Sequence, residues 1–130
     1  MRYLNLIVVH CSDTEEGTVE SIRKYHTEVK GWDDIGYHYL IYKDGSVNEG
    51  RPLNKIGAHV EGANKNSVGI CLIGKKDFKK EQFTSLNNLI LTLQKSFPDI
   101  ISVKNHYEFP SAIHQGKSCP NFDVHKVLGV

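Results

Sequence analysis

Two histidines and one cysteine are the residues of this chain whose types and spacing suggest chemistry. His10 and His106 each stand at the end of an apolar run, and Cys119 follows His106 by thirteen residues in a polar segment. Two imidazoles and a thiolate are good zinc ligands, and three protein ligands plus a water are typical of a catalytic zinc site. A histidine at a strand end is also often a hydrogen-bonded structural residue. Spacing alone therefore leaves both interpretations open.

A tyrosine and a lysine are the next candidates. Tyr37 and Lys117 could donate hydrogen bonds to the oxyanion that develops when an amide carbonyl is attacked. His38 and His59 complete the set of candidate polar side chains. By residue type alone, Tyr37 also fits a half-buried strand aromatic and Lys117 a solvated loop charge, so these alternatives stay open as well.

The overall composition excludes several classes of function. Among 130 residues, 16 are Lys or Arg and 15 are Asp or Glu, which gives a formal net charge of +1. Proteins that bind nucleic acid or anionic membranes through charge need a concentrated positive field. We therefore expect no nucleic-acid partner. No stretch approaches the eighteen apolar residues needed to span a bilayer, so no membrane insertion is expected. We also expect a monomer. The length predicts one domain over residues 1–130.

The cysteines and the first residues bear on the compartment. The three cysteines show no Cys-x-x-Cys spacing, so neither a disulfide framework nor a zinc knuckle is predicted. The apolar run at 6–9 is too short for the core of a signal peptide. We expect synthesis in the cytoplasm without a signal peptide, so that action elsewhere requires another route.

Strands and helices alternate along the chain. This pattern predicts an α/β single domain with a central mixed β-sheet flanked by helices. Continuous apolar runs predict buried strands at 4–10, 67–73 and 100–105. Helices are predicted at 18–30, 80–96 and 122–128, and a polar loop at 107–120. Sites collect at strand ends in open α/β sheets, which places the candidate zinc site at the ends of these strands.

A hairpin is predicted over residues 36–50, with Asp44-Gly45 as its turn. Alternate residues of its first strand face opposite sides of the sheet. We expect Tyr37, Tyr39 and Ile41 to share one face, and His38, Leu40 and Tyr42 the other.

Several segments in order resemble one family, the zinc-dependent type-2 N-acetylmuramoyl-L-alanine amidases. The segments are Ile22–His26, Gly31–Tyr39, Asn66–Gly74 and Lys117–Asp123. This family includes small phage endolysins and shares its fold with the peptidoglycan recognition proteins. The similarity spans about residues 7–124, and several ordered blocks are a more specific signal than any one of them.

The resemblance implies roles for individual residues. One Zn²⁺ would be held by His10, His106 and Cys119, and Tyr37 and Lys117 would be the catalytic groups. His59 matches a histidine that lines the substrate cleft, and His38 is assigned with it to substrate binding. The role of His26 stays open.

The segment between the second and third ligands departs from the family pattern. It is longer than in the compact phage enzymes, and it contains His114, which could compete as a ligand. We prefer Cys119, because its Cys-Pro-x-Phe-Asp context matches the family and the context of His114 does not.

The activity implied by the resemblance is hydrolysis of the amide between the lactyl group of N-acetylmuramic acid and L-alanine. The partner is then peptidoglycan or a muramyl peptide, met at the cell wall after release or delivery. A non-catalytic peptidoglycan-recognition module is the main alternative, although such relatives commonly lack the cysteine. A thiol hydrolase with Cys119 as nucleophile and His106 as base is a second alternative. A purely structural zinc protein is disfavoured, because only three good ligands converge.

Overall fold

A five-stranded sheet organises the chain, and the computed structural model describes residues 1–130. The strands are β1 (Leu6–Cys11), β2 (Tyr39–Ile41), β3 (Val47–Glu49), β4 (Ser67–Leu72) and β5 (Ser102–Asn105). In space their order is β3-β2-β4-β1-β5. Strand β1 is parallel to β4 and β5, β2 is parallel to β4, and β3 is antiparallel to β2. The predicted mixed sheet and α/β class are confirmed.

Four α-helices accompany the sheet. They are α1 (Val19–Lys24), α2 (Lys80–Ser96), α3 (Pro110–His114) and α4 (Val124–Leu128). Helix α1 begins after Thr18, whose hydroxyl accepts a hydrogen bond from the Ser21 N–H. No helix of the structure combines the length and the apolar character needed to cross a bilayer.

The prediction of one polar loop over 107–120 is wrong for its first half. A 3₁₀ turn covers His106–Glu108, and α3 follows it directly. Proline at the first position of a helix is favourable, because its fixed φ suits the helix and its missing N–H would have had no partner there. Pro110 begins α3 in this way, and Ala112 is fully buried beneath it.

The two faces of the sheet carry two separate cores. In the larger core, alternate residues of β1 and β4 pack against residues of α2. This core includes Ile7, Val9, Val68, Ile70, Leu72, Leu86 and Ile90. The opposite face carries a smaller core of Val19, Ile35, Leu40, Cys71 and Ile73. Because side chains alternate along a strand, His10 follows Val9 onto the second face. The face without α2 therefore has room for a site.

The hairpin departs from the predicted alternation at its start. Tyr39 and Ile41 lie on the same face of the sheet and pack in the larger core. Tyr37 instead packs against the smaller core, as Tyr42 does. Strand β2 begins only at Tyr39, and regular alternation holds only within the pleated segment. Tyr37 is thereby placed on the same side of the sheet as His10.

Helix α1 continues into a wider turn of π-helix over Tyr25–Val29. The Lys30 N–H donates to the Tyr25 carbonyl at 3.2 Å, and the Thr27 hydroxyl donates to the Arg23 carbonyl at 2.9 Å. A side chain that competes for a helix carbonyl in this way favours local distortion. The turn carries His26 into the interior, where it is buried.

Candidate metal centre

Adjacent parallel strands bring the two predicted histidine ligands together. Strands β1 and β5 are parallel neighbours, with Val9 paired to Asn105. The residues that follow these two, His10 and His106, therefore lie at the same edge of the sheet. The ring centroids of His10 and His106 are 4.5 Å apart. Residues that are far apart in sequence therefore meet because of sheet topology.

Cys119 joins these histidines through the backbone of β1. Its Sγ accepts a hydrogen bond from the Cys11 N–H at 3.0 Å, and its carbonyl accepts one from the Tyr107 N–H at 3.0 Å. The ligand atoms of His10, His106 and Cys119 all lie within 4.8 Å of one another. His114 is exposed on α3 and lies outside this cluster.

Asn105 holds the segments that carry the second and third ligands. This buried side chain donates from Nδ2 to Glu108 Oε2 at 3.0 Å and to Asp123 Oδ1 at 3.1 Å. Its Oδ1 accepts from the Val124 N–H at 2.8 Å. The amide thus joins the turn after His106 to the segment after Cys119. This role was not predicted from the sequence. The available signal was an asparagine directly before a candidate ligand.

The chemistry of the three side chains fits a metal that prefers nitrogen and sulfur. Burial lowers the pKa of His10 well below its usual value and that of His106 to about 4, so both imidazoles keep a free lone pair at neutral pH. Hydrogen bonding with Cys11 and burial raise the pKa of the Cys119 thiol. A thiol with a raised pKa is a poor nucleophile, whereas a metal cation displaces its proton on binding. The arrangement favours a metal centre over a thiol hydrolase.

A cleft of about 590 Å³ opens beside the cluster. Its wall includes His106, Cys119, Tyr37 and Lys117, and residues 11–14, 16 and 17 line another side of it. The ring centroid of Tyr37 is 5.1 Å from that of His10. Both candidate catalytic side chains therefore share one cleft with two of the three candidate ligands, His106 and Cys119.

His38 is not among the residues that line this cleft, and its assignment to substrate binding stays a prediction. The side chain is 1% exposed. Its Nδ1 accepts from the Gly69 N–H at 3.0 Å, and its Nε2 lies 2.8 Å from the Lys55 carbonyl oxygen. With both ring nitrogens engaged by the protein backbone, His38 helps to hold β4 against the segment around Lys55.

His59 is likewise not among the residues that line the cleft, and its contact with substrate stays a prediction. The ring is 8% exposed. Its Nδ1 lies 2.9 Å from His10 Nε2, and its Nε2 lies 3.1 Å from the Ser67 hydroxyl oxygen. His59 therefore lies in direct contact with a candidate ligand.

His26, whose role the sequence left open, does line the cleft. The Gly36 N–H donates to its Nδ1 at 2.9 Å, so a neutral ring carries its proton on Nε2. Its ring centroid is 5.6 Å from that of Tyr37. His26 thus helps to fix the wall against which Tyr37 packs.

The lowered pKa values of two histidines outside the ligand cluster lead us to expect that the protein loses stability in mild acid. Burial lowers the pKa of His26 and of His38 to about 4, whereas unfolded histidine titrates near about 6.5. The unfolded state binds more protons between these values, so the stabilisation is present above about pH 6.5 and is lost as pH falls toward about 4. We expect each ring to lower the free energy of unfolding by roughly 2 to 3 kcal/mol on going from about pH 7 to about pH 4.5.

Urea unfolding of metal-free protein at the two pH values measures this loss. The variant His114→Ala removes an exposed imidazole and should show the same pH dependence as the parent chain. An unfolding free energy that stays constant over this range would contradict the neutral, buried state of both rings.

Comparison with known proteins shows which family this chain resembles. The family model described as N-acetylmuramoyl-L-alanine amidase matches residues 1–122. The endolysin of Enterobacteria phage K11 is 36% identical over 129 residues, covering 91% of this chain and 81% of the phage protein. The match therefore runs through every element that carries a candidate site residue.

Solved structures give the same result. The N-acetylmuramoyl-L-alanine amidase LysC from Clostridium intestinale URNW superposes with a TM-score of 0.87 at 31% identity, covering 98% of this chain and 85% of that one. Bumblebee PGRP-SA superposes with a TM-score of 0.83 at 31% identity, covering 99% and 84%. The fold is thus shared by amidases and peptidoglycan recognition proteins, as the sequence predicted.

Proposed function

Because the chain belongs to the N-acetylmuramoyl-L-alanine amidase family, we propose that its cleft cuts the amide between the lactyl group of N-acetylmuramic acid and L-alanine with the help of one Zn²⁺. The chain is an amidase, and its substrate is related to peptidoglycan. The proposal adds the metal and the residues that carry out the reaction. Its place of action would be the cell wall, after release or delivery.

One observation carries the proposal: the ligand atoms of His10, His106 and Cys119 lie within 4.8 Å of one another, and His106 and Cys119 line the cleft. Imidazole and thiolate together favour zinc over magnesium or calcium, which prefer oxygen ligands. Zinc bound by these residues supplies a Lewis acid that polarises an amide carbonyl and makes water more acidic. The chain's other side chains then have to bind and orient the amide.

Tyr37 and Lys117 are proposed to stabilise the negative charge that develops on the lactyl carbonyl oxygen. Burial raises the pKa of Tyr37 well above its usual value, so its phenol keeps its proton and can donate a hydrogen bond. The Lys117 ammonium lies at the cleft near His106, whose pKa is lowered by burial and then by this charge. Donors placed where charge develops contribute about 2.7–4 kcal/mol each to rate enhancement in other enzymes.

The binding-module alternative uses the same cleft but needs no metal. A recognition protein would gain nothing from a half-buried thiol beside two imidazoles, whereas Cys119 completes a ligand cluster here. The amidase is therefore preferred to the module.

A peptidoglycan digest analysed by mass spectrometry, with metal analysis of the same sample, tests the proposal. We expect stem peptides with a free L-alanine amino group and about one zinc per chain. A chelator should stop the reaction, and added Zn²⁺ should restore it. Activity that survives the chelator but is lost on treatment with iodoacetamide would support the thiol hydrolase. Binding of peptidoglycan without release of peptide would support the recognition module.

A further inference from the structure

A chain of buried hydrogen bonds runs behind His10, and neither the fold nor the proposed reaction explains it. His10 Nε2 lies 2.9 Å from His59 Nδ1, and His59 Nε2 lies 3.1 Å from Ser67 Oγ. Ser67 Oγ lies 2.6 Å from the Ala63 carbonyl oxygen. All three side chains in this series are buried.

The directions of these hydrogen bonds follow from the last acceptor. A carbonyl oxygen only accepts, so the Ser67 hydroxyl donates its single proton to Ala63. The Ser67 oxygen must then accept from His59, which places the proton of that ring on Nε2.

The same reasoning extends to the next ring. A buried imidazole without a carboxylate partner stays neutral and carries one proton. His59 Nδ1 is therefore an acceptor, and His10 must donate to it from Nε2. The lone pair of His10 then lies on Nδ1.

Two glycines make the space in which the His59 ring is held. A Cβ on Gly69 of β4 would lie 2.6 Å from His59 Cγ, and a Cβ on Gly57 would lie 2.8 Å from His59 Cδ2. Real Cβ atoms do not approach other atoms this closely. Any larger residue at position 57 or 69 would therefore overlap the His59 ring unless the ring or the backbone moved.

We propose that His59 and Ser67 are positioning residues that fix the tautomer of His10, so that His10 offers its Nδ1 lone pair to the metal. The tautomer of His10 is a property of the metal-free protein. Only its effect on metal binding rests on the proposed function. Outer partners of this kind hold a ligand ring in one orientation and raise its basicity. Their loss typically lowers metal affinity by about 10- to 100-fold.

The tautomers are measured directly by long-range ¹H–¹⁵N correlation spectra of ¹⁵N-labelled protein, first without metal and then with one equivalent of Zn²⁺. We expect protonated Nε2 and unprotonated Nδ1 for both His10 and His59 in the metal-free protein. On adding Zn²⁺, the ¹⁵N shift of His10 Nδ1 should change to that of a metal-bound nitrogen. A proton on His10 Nδ1, or zinc bound through His10 Nε2, would overturn the proposal.

Zinc affinity, measured by competition with a chromogenic chelator, tests the consequence. Ser67→Ala and His59→Phe should weaken binding by about 10- to 100-fold. His59→Asn should restore part of the loss, because its amide oxygen can accept near the position of Nδ1. His114→Ala, which removes an exposed imidazole, should bind zinc as the parent chain does.

Thermal unfolding of the metal-free variants separates positioning from folding. Ser67→Ala or His59→Phe that stays folded and binds zinc with parental affinity would refute the positioning role. If the parent chain shows the expected tautomers and binds zinc but releases no stem peptide, the proposed function fails while this inference stands.

Discussion

Replacing Cys119 with alanine is expected to abolish release of stem peptide and to remove the bound zinc. Cys119 contributes the only sulfur of the ligand cluster, and two imidazoles alone leave the ion without its anionic ligand. The loss of activity should exceed about 100-fold, the upper range for removal of a group that merely supports a ligand. His10→Ala and His106→Ala should behave in the same way.

Peptide release from purified peptidoglycan and zinc content by mass spectrometry of the folded variants measure both effects. His114→Ala is the matched control, because that imidazole lies on α3 between two of the ligands in sequence but outside their cluster. Cys119→Asp should retain some zinc and some activity, since carboxylate oxygen is also a zinc ligand. Full activity of folded Cys119→Ala would refute the ligand assignment. Zinc retained in an inactive Cys119→Asp would instead point toward a nucleophilic role.

Tyr37→Phe and Lys117→Ala are each expected to lower kcat by about 10²- to 10³-fold while zinc remains bound. Each substitution removes a donor from the cleft but none of the ligand atoms. Because such donors act on charge that develops only during the reaction, KM should change much less than kcat.

Steady-state kinetics on a defined muramyl peptide, with zinc analysis of each variant, separate these effects. Tyr3→Phe and Lys95→Ala change the same residue types at exposed positions outside the cleft and should leave both constants unchanged. Loss of zinc in Tyr37→Phe or Lys117→Ala would show that the division between ligands and donors is wrong. An unchanged kcat would remove that residue from the mechanism.

Much of the fold was predictable because its signals are local. The apolar runs of β1 and β4 and the helical period of α2 can be read from neighbouring residues alone. The positions of His10 and His106 at strand ends followed from the same runs. Resemblance to the amidase family then selected the cysteine and the two candidate donors. The sequence by itself therefore determined the class of fold and the candidate chemistry.

Other features depended on contacts between distant parts of the chain. Tyr37 lies on the cleft side because β2 begins after it, and α3 replaced part of a predicted loop. No local pattern specifies where a strand starts to pair, because pairing depends on the neighbouring strand.

The clearest case is His59, which the sequence assigned to substrate. Its hydrogen bond to His10 joins residues 49 positions apart, and its ring fits only because Gly57 and Gly69 leave room. A histidine in a sequence carries the same imidazole whether it faces solvent, substrate or another ring. Tertiary packing alone decided which atoms surround it, and therefore which of its nitrogens donates and which accepts.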